Sequence, residues 1–354
     1  MWEKPALLID TEKVQRNIEN MLRKAIENRL IFRPHFKTHQ SADIGDIFRK
    51  KGVAKITVSS VSMAKYFADN GWNDITIAFP VNLREAGEIN ELAERTRLNV
   101  LVDSVYSANK LAQKLENETG FFIEIDNGYH RSGLLHEDIA EIDEMVAIAE
   151  QNNPLEFKGF LTHAGNTYAA GSKKEILSIM KSAATQLQAL KARYAERFPG
   201  IITSYGDTPS CSLADDLSDF DEIRPGNFVY YDVMQLLLGS CTPDDIAVAV
   251  ACPVVSVYPQ REELIIYGGA VHLSKEFVPN DRGAKIYGYV VRLTENRWTE
   301  PIPGAYVASL SQEHGIVKMC SEDLLKFKPG DVVGVLPVHS CLTANLLLKN
   351  RQLL

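Results

Sequence analysis

Apolar residues along the first two-thirds of the chain follow two alternating rhythms. Short continuous apolar runs alternate with stretches in which apolar positions return every three or four residues. Val14, Ile18, Met21 or Leu22, and Ala25 or Ile26 make one helical face, and Leu30-Ile31-Phe32 then reads as a strand. The alternation continues with strands at Ile56–Val58, Ile75–Phe79, Asn99–Val102, Phe121–Ile125, Phe157–Leu161, Ile201–Thr203 and, more weakly, Glu222-Ile223. Between them the spacing predicts helices over Ala42–Lys50, Val61–Asp69, Leu83–Arg95, Ala108–Glu118, Ile139–Ala149 and Lys174–Ala195. Gly52, Asn70-Gly71 and Pro80 punctuate these elements. Eight strands with intervening helices predict an α/β fold, a TIM-type (β/α)8 barrel. The last crossover, from Gly206 to Asp221, shows little helical pattern. A doubly wound sheet is the rival, but neither a GxGxxG nor a GxxxxGK[ST] fingerprint accompanies it.

The texture changes after about Asp245. Val248–Val257, Glu263–Tyr267, Ala284–Val291, Val307–Leu310 and Val332–Leu336 read as strands separated by Gly, Pro and Asn turns. The expected division is a barrel over residues 1–244 and a β-rich domain over 245–354. The opening strand, Pro5–Asp10, belongs to either.

Composition narrows the function. The 354 residues carry a formal charge of -8 with no basic block, which argues against a nucleic-acid partner. A local cationic pocket for a small anion is still compatible with that balance. No apolar run reaches membrane-spanning length, and Met1–Asp10 does not resemble a secretory signal. The five cysteines are widely spaced without a CxxC pair. The expectation is therefore a cytoplasmic protein without a membrane partner.

Chemistry-bearing residues gather at predicted strand ends. Arg33-Pro34-His35-Phe36-Lys37-Thr38-His39 follows the first barrel strand. A lysine held there, near other cations, is suited to Schiff-base chemistry, although a surface loop would also explain the run. Asp126–Gly133, with Arg131, follows the fifth strand, and His163–Tyr168 follows the sixth. Arg131 reads equally as a solvated residue or a cofactor contact. His163 alone reads more simply as a hydrogen-bonded core residue. Gly206, Thr208 and Gly226 lie in loops that could present backbone N–H groups to a phosphate, or simply form tight turns. All these loops would open on one face of a barrel. Near the end, His339 and Cys341 stand at i and i+2 after an extended run, where both side chains point the same way. Such a pair can hold a borderline metal such as zinc, or be ordinary core. Asp103, Asp126 and Asp232 are poorer ligands, and His314 is a strand-end residue that would either approach the site or cap a turn.

Taken together, these segments resemble the D-threonine aldolase and eukaryotic-type D-serine dehydratase family. That family belongs to the alanine racemase-like, fold type III pyridoxal 5'-phosphate enzymes. The resemblance runs in order through Pro5–Asp10, Arg33–His39, Thr162–Tyr168, Gly206–Ser210, Glu222–Phe228, Glu313–Gly315 and Pro337–Cys341. It implies a pyridoxal-phosphate-binding barrel, a C-terminal β domain and a homodimer. It makes Lys37 the cofactor lysine and sets Gly206, Thr208, Gly226 and Asn227 around the phosphate. His163 and Tyr168 would line the cofactor, Arg131 would lie on its phenolic side and Arg224 opposite its ring nitrogen. His339 and Cys341 would hold Zn2+, or alternatively Mn2+ or Mg2+.

The implied activity is a lyase reaction: β-elimination from a D-3-hydroxy amino acid, such as D-serine or 3-hydroxy-D-aspartate, to a 2-oxo acid and ammonia. Lys37, His339 and Cys341 would be catalytic. Retro-aldol cleavage to glycine and an aldehyde is the alternative, and family aldolases tend to carry Asp in place of Cys341. A racemase or a non-catalytic cofactor carrier would leave the metal pair unexplained. Three departures from the family pattern stand out: Phe36 for a usual histidine, Asp207 for a usual small residue, and no expected strand after the metal motif.

Overall fold

The computed structural model describes residues 2–151, 154–280 and 282–354. The chain opens with β1 (Ala6–Ile9) and α1 (Thr11–Glu27). Eight strands then alternate with helices: β2 (Ile31–Phe32), α2 (Ala42–Lys50), β3 (Ile56–Val58), α3 (Val61–Asp69), β4 (Asp74–Pro80), α4 (Ala86–Arg95), β5 (Arg97–Val102), α5 (Val105–Ala112), β6 (Thr119–Glu124), α6 (Ile139–Ala149), β7 (Leu155–His163), α7 (Lys173–Tyr194), β8 (Ile202–Gly206), α8 (Thr208–Leu213) and β9 (Glu222–Ile223). The strands form one parallel sheet in the order β2-β9-β8-β7-β6-β5-β4-β3. It curls closed where His35 bridges Thr57, with Phe36 N donating to Thr57 O at 2.8 Å and Thr57 N to Pro34 O at 2.9 Å. The (β/α)8 barrel expected from the apolar rhythm is therefore present, and a doubly wound sheet is excluded.

Local chemistry explains why these helices start where they do. Ser41, Ser60, Ser104 and Ser172 each accept a backbone N–H from the first turn of α2, α3, α5 and α7. In α1 the buried face is Val14, Ile18, Met21 and Ala25, whereas Ile26 is 66% exposed. The Ser104 cap starts α5 earlier than the apolar pattern indicates. The crossover after Gly206 does contain a helix, α8, because Asp207 caps it by accepting from Ser210 N at 2.5 Å.

Phe36 packs at 5.0 Å from the rings of Phe48, Phe67 and Trp72. It is fully buried and anchors the segment that carries Lys37.

The second compact unit comprises residues 1–19, 38–40 and 227–354. Its strands are β1, β10 (Val248–Tyr258), β11 (Glu263–Tyr267), the short pair β12 (Val278–Pro279) and β13 (Lys285–Ile286), then β14 (Gly288–Arg292), β15 (Tyr306–Leu310), β16 (His314–Lys318), β17 (Val332–Pro337) and β18 (Arg351–Leu353). The main sheet runs β11-β16-β15-β14-β17-β10-β1-β18, and β10 also pairs with β11, so the first six strands close a β-barrel. A bulge between Val254 and Ser256 lets β10 bend to serve both neighbours.

The strand after the metal motif is present, contrary to the expectation. Arg351–Leu353 lies parallel to Leu7–Ile9, because the edge of β1 offers unpaired backbone groups to it. Among the described residues no helix is long and apolar enough to cross a membrane.

Candidate active site

Parallel strands deliver side chains to the barrel's C-terminal end. Lys37 follows β2, Arg131 lies in the loop after β6, His163 ends β7, Gly206 ends β8 and Arg224 follows β9. Arg224 is buried, with its Nε donating to Ser204 Oγ at 2.7 Å and its Nη2 to Thr162 O at 2.5 Å. Burial lowers its pKa to about 10, so it stays a cation at neutral pH. A Cβ at Gly206 would lie 3.1 Å from Arg224 Cβ and 3.3 Å from its Cζ, so glycine is what leaves the guanidinium its place.

The imidazoles here are neutral. His163 Nδ1 sits 2.6 Å from Gly206 O and therefore carries the proton that it donates. Burial, then Lys37 and Arg131, depress its pKa to about 3. Burial and then Lys37 and Arg224 hold His35 well below the ordinary histidine value. A folded pKa below the unfolded one means that acid favours the unfolded chain. The contribution of these histidines is present above about pH 6.5 and is lost as pH falls from there toward the folded values. The ligand-free wild-type protein is expected to lose more stability between pH 7 and pH 5 than His163→Gln, as read from urea midpoints.

Tyr168 Oη accepts from Thr208 N at 3.3 Å, so these two predicted residues meet. Arg131 is half-exposed and stacks over Tyr129, with its guanidinium 5.4 Å from the ring centroid and Nη2 3.9 Å from Glu124. Asp207, expected to conflict with a phosphate, turns its carboxylate into the α8 cap. Its pKa is raised to about 6, chiefly by burial. Asn127 is buried after β6, and both of its amide atoms lack a hydrogen-bond partner among the described residues. Asp126 is spent on its own turn, accepting from Gly128 N and His130 N at 2.9 Å.

Beneath Arg224 runs a buried polar chain that the sequence did not reveal. Ser204 Oγ donates to Glu222 Oε1 at 2.6 Å, and Arg33 Nε donates to Glu222 Oε2 at 2.7 Å. Arg33 Nη1 pairs with Asp74 Oδ1 at 2.5 Å. Burial opposes the Arg33 charge, but Glu222 and Asp74 more than offset it and raise its pKa. Removing the Glu222 carboxylate would leave Arg33 and Arg224 with less compensation. Glu222→Ala is expected to destabilise the protein by about 3–5 kcal/mol, measured by urea denaturation.

A second group of predicted residues lies within the β-rich unit. His339 stands at the N-cap position of the helix Ser340–Leu346 without a side-chain capping bond, so Cys341 lies in the first helical turn rather than on the extended segment expected. Asp232 is buried and accepts from Ser340 N at 2.9 Å, Ser340 Oγ at 3.2 Å and Asn227 Nδ2 at 2.6 Å. Asp232 thus braces the turn between the two candidate ligands. Asn227 Nδ2 also reaches Cys341 Sγ at 3.6 Å, so the Asn227 side chain belongs to this cluster. Thr38 Oγ1 lies 3.2 Å from Cys341 Sγ. His339 Nδ1 lies 2.6 Å from Glu276 Oε2. Burial works against a charged His339, but Cys341 and Glu276 outweigh it and hold its pKa up to about 11. His314, by contrast, is exposed and begins β16 opposite Tyr267.

The two residue sets fit the groups that the resemblance implies. A cluster of cations around neutral imidazoles favours an anionic occupant such as a phosphorylated cofactor. The unpartnered Asn127 amide calls for a polar ligand or water. An imidazole and a thiolate suit a borderline divalent ion, with coordination positions left for other ligands. Among the described residues no group of three or more His, Cys, Asp or Glu is poised to hold a metal.

The alanine racemase N-terminal domain profile matches residues 9–233. The profile described as "Putative serine dehydratase domain" matches residues 247–349. The chain belongs to the alanine racemase-like, fold type III pyridoxal-phosphate enzymes. Within that class it is related to the D-serine dehydratases. It is 29% identical to the D-serine dehydratase of Dictyostelium discoideum, across 96% of this chain and 90% of that protein. It is likewise 29% identical to the D-threo-3-hydroxyaspartate dehydratase of Delftia sp. (strain HT23), across 96% of this chain and 91% of that protein. The solved structure of the Delftia enzyme superposes with a TM-score of 0.88 at 28% identity, covering 98% of this chain and 93% of that one. Solved forms of that enzyme include a histidine-to-alanine variant and a cysteine-to-alanine variant in the metal-free form, two positions apart.

Proposed function

We propose that the protein is a pyridoxal-phosphate- and metal-dependent lyase. It removes the hydroxyl from a D-3-hydroxy amino acid and yields a 2-oxo acid and ammonia. The observation that carries this reading is the paired chemistry of the chain. Lys37 stands among Arg224, Arg131 and two neutral imidazoles, and a separate His339–Cys341 pair is braced by Asp232 and Glu276. A racemase gives the second set no role. The dehydratase relatives, and the metal-free form described for a cysteine variant of one of them, support the same reading.

Lys37 would bind pyridoxal phosphate, which supplies an electron sink for the pair left at Cα. Gly206, Thr208, Gly226 and the Asn227 backbone would hold its phosphate. Tyr168 acts here through the hydroxyl that accepts from Thr208 N. His163 donates to Gly206 O and is neutral, so it would pack against the cofactor without adding charge. Arg224 stays cationic and would keep a facing pyridine nitrogen unprotonated, while Arg131 would serve the phenolic side. The Lys37 amine accepts the α-proton at Nζ. His339 and Cys341 would hold Zn2+, a Lewis acid that eases departure of a β-hydroxyl.

The α-hydrogen and the hydroxyl leave as water, and water then hydrolyses the enamine to the 2-oxo acid and ammonia. A thiolate ligand favours zinc over the harder manganese or magnesium. D-serine and 3-hydroxy-D-aspartate are the expected substrates, in a homodimeric cytoplasmic enzyme. Sedimentation tests the dimer. Metal analysis of the purified protein tests zinc, and manganese in its place at full occupancy would overturn that assignment.

A further inference from the structure

We propose that Glu276 is a positioning residue that fixes His339 as a metal donor through Nε2. This rests on the metal reading above. Only one nitrogen of a neutral imidazole carries a proton, and a ligating imidazole needs its other nitrogen bare. Glu276 Oε2 lies 2.6 Å from His339 Nδ1. An ionised carboxylate can only accept, so this contact keeps a proton on Nδ1, and Nε2 is the nitrogen that gives up its proton when a metal binds. Such a carboxylate also raises the basicity of the ring and sets its orientation.

The surrounding backbone shows that the contact is built in. Glu276 follows the short helical turn Ala270–Leu273, which ends at Ser274 with φ of 67°. Ser274 Oγ accepts from Glu276 N at 3.3 Å, which turns the chain toward His339. Thr343 Oγ1 donates to Leu273 O at 3.4 Å. The turn that presents Glu276 is thereby tied to the helix that carries Cys341. Asp232 braces the backbone between the two ligands, whereas Glu276 acts on the imidazole itself.

The test is zinc affinity of the cofactor-loaded protein, measured by competition with a chromophoric chelator. Wild type, Glu276→Ala, Glu276→Gln and His339→Ala would be compared. Glu276→Ala is expected to weaken zinc binding by about 10–100-fold. Glu276→Gln should fall between Ala and wild type, because its amide oxygen still accepts but carries no charge. Cofactor absorbance and the unfolding midpoint measured in excess chelator should match wild type in both variants. His339→Ala should bind no stoichiometric zinc.

Cobalt(II) in place of zinc adds a readout of the ligand set. Saturated Glu276→Gln should keep the band positions of wild type. Wild-type zinc affinity in both Glu276 variants, with binding lost in His339→Ala, would overturn the positioning role while leaving the metal pair intact. Altered cobalt bands in Glu276→Gln would overturn it in favour of direct ligation by Glu276. Absence of stoichiometric zinc from the wild type would sink the metal reading and this inference together.

Discussion

Lys37→Ala protein, purified with excess pyridoxal phosphate, is expected to lack the visible absorbance of lysine-bound cofactor and to show no turnover. The substitution would remove two proposed functions at one atom, the covalent anchor and the base for the α-proton. A positioned general base alone is worth about 10²–10⁴ in rate. The fold should survive, because Lys37 itself is only half-buried. Its neighbour Phe36 supplies the packing with Phe48, Phe67 and Trp72, and the His35–Thr57 bridge holds the backbone. Removing the Lys37 charge also relieves His35 and His163, whose pKa values it helps to depress. The variant should therefore be at least as stable as wild type toward mild acid. Retained cofactor absorbance in a folded Lys37→Ala protein would show that another lysine carries the group.

Cys341→Ala should behave differently. It is expected to retain cofactor absorbance, because its contacts lie with Thr38, Asn227 and His339. It should lose stoichiometric zinc, since one remaining protein ligand is too few for tight binding. Lewis-acid assistance is worth several kcal/mol. Turnover should accordingly fall by a factor on the order of 10²–10⁴. Exchange of the α-proton with solvent, followed by NMR in D2O, should persist in the variant, because the proposed mechanism gives that step to Lys37. Full elimination activity in metal-free Cys341→Ala would remove the metal from the account.

The two predictions use residues that could be read in the sequence. Parallel strands buried on both faces leave continuous apolar runs, so all eight barrel strands were legible. The strand-end position of Lys37, His163, Gly206 and Arg224 followed from that register. Elements defined by backbone pairing rather than apolar pattern were not legible. β16 contains Gly315, which resembles a break, yet a Cβ there would lie 2.6 Å from Gly268 O, so the sheet needs glycine at that point. β18 is three residues long and is recruited by the edge of β1.

Supporting polar residues were hidden for a related reason. Glu276 meets His339 across 63 positions and Glu222 meets Ser204 across 18, so no local spacing marks them. Asp207 was legible only as a possible conflict. The cap at Ser210 N gives its Oδ1 a donor on its own helix. Asn227 shows the limit of motif reading. It sits next to Gly226 in sequence, but its side chain is bonded to Asp232 and Ser340, so only its backbone could serve the proposed phosphate role.

The most direct test of the proposed chemistry is product analysis of the cofactor-loaded protein with zinc. D-serine, D-threonine and both diastereomers of 3-hydroxy-D-aspartate would be supplied separately. The account predicts ammonia and a 2-oxo acid in equal amounts, pyruvate from D-serine or oxaloacetate from 3-hydroxy-D-aspartate. Glycine together with an aldehyde would contradict it and assign retro-aldol cleavage to the same Lys37, His339 and Cys341.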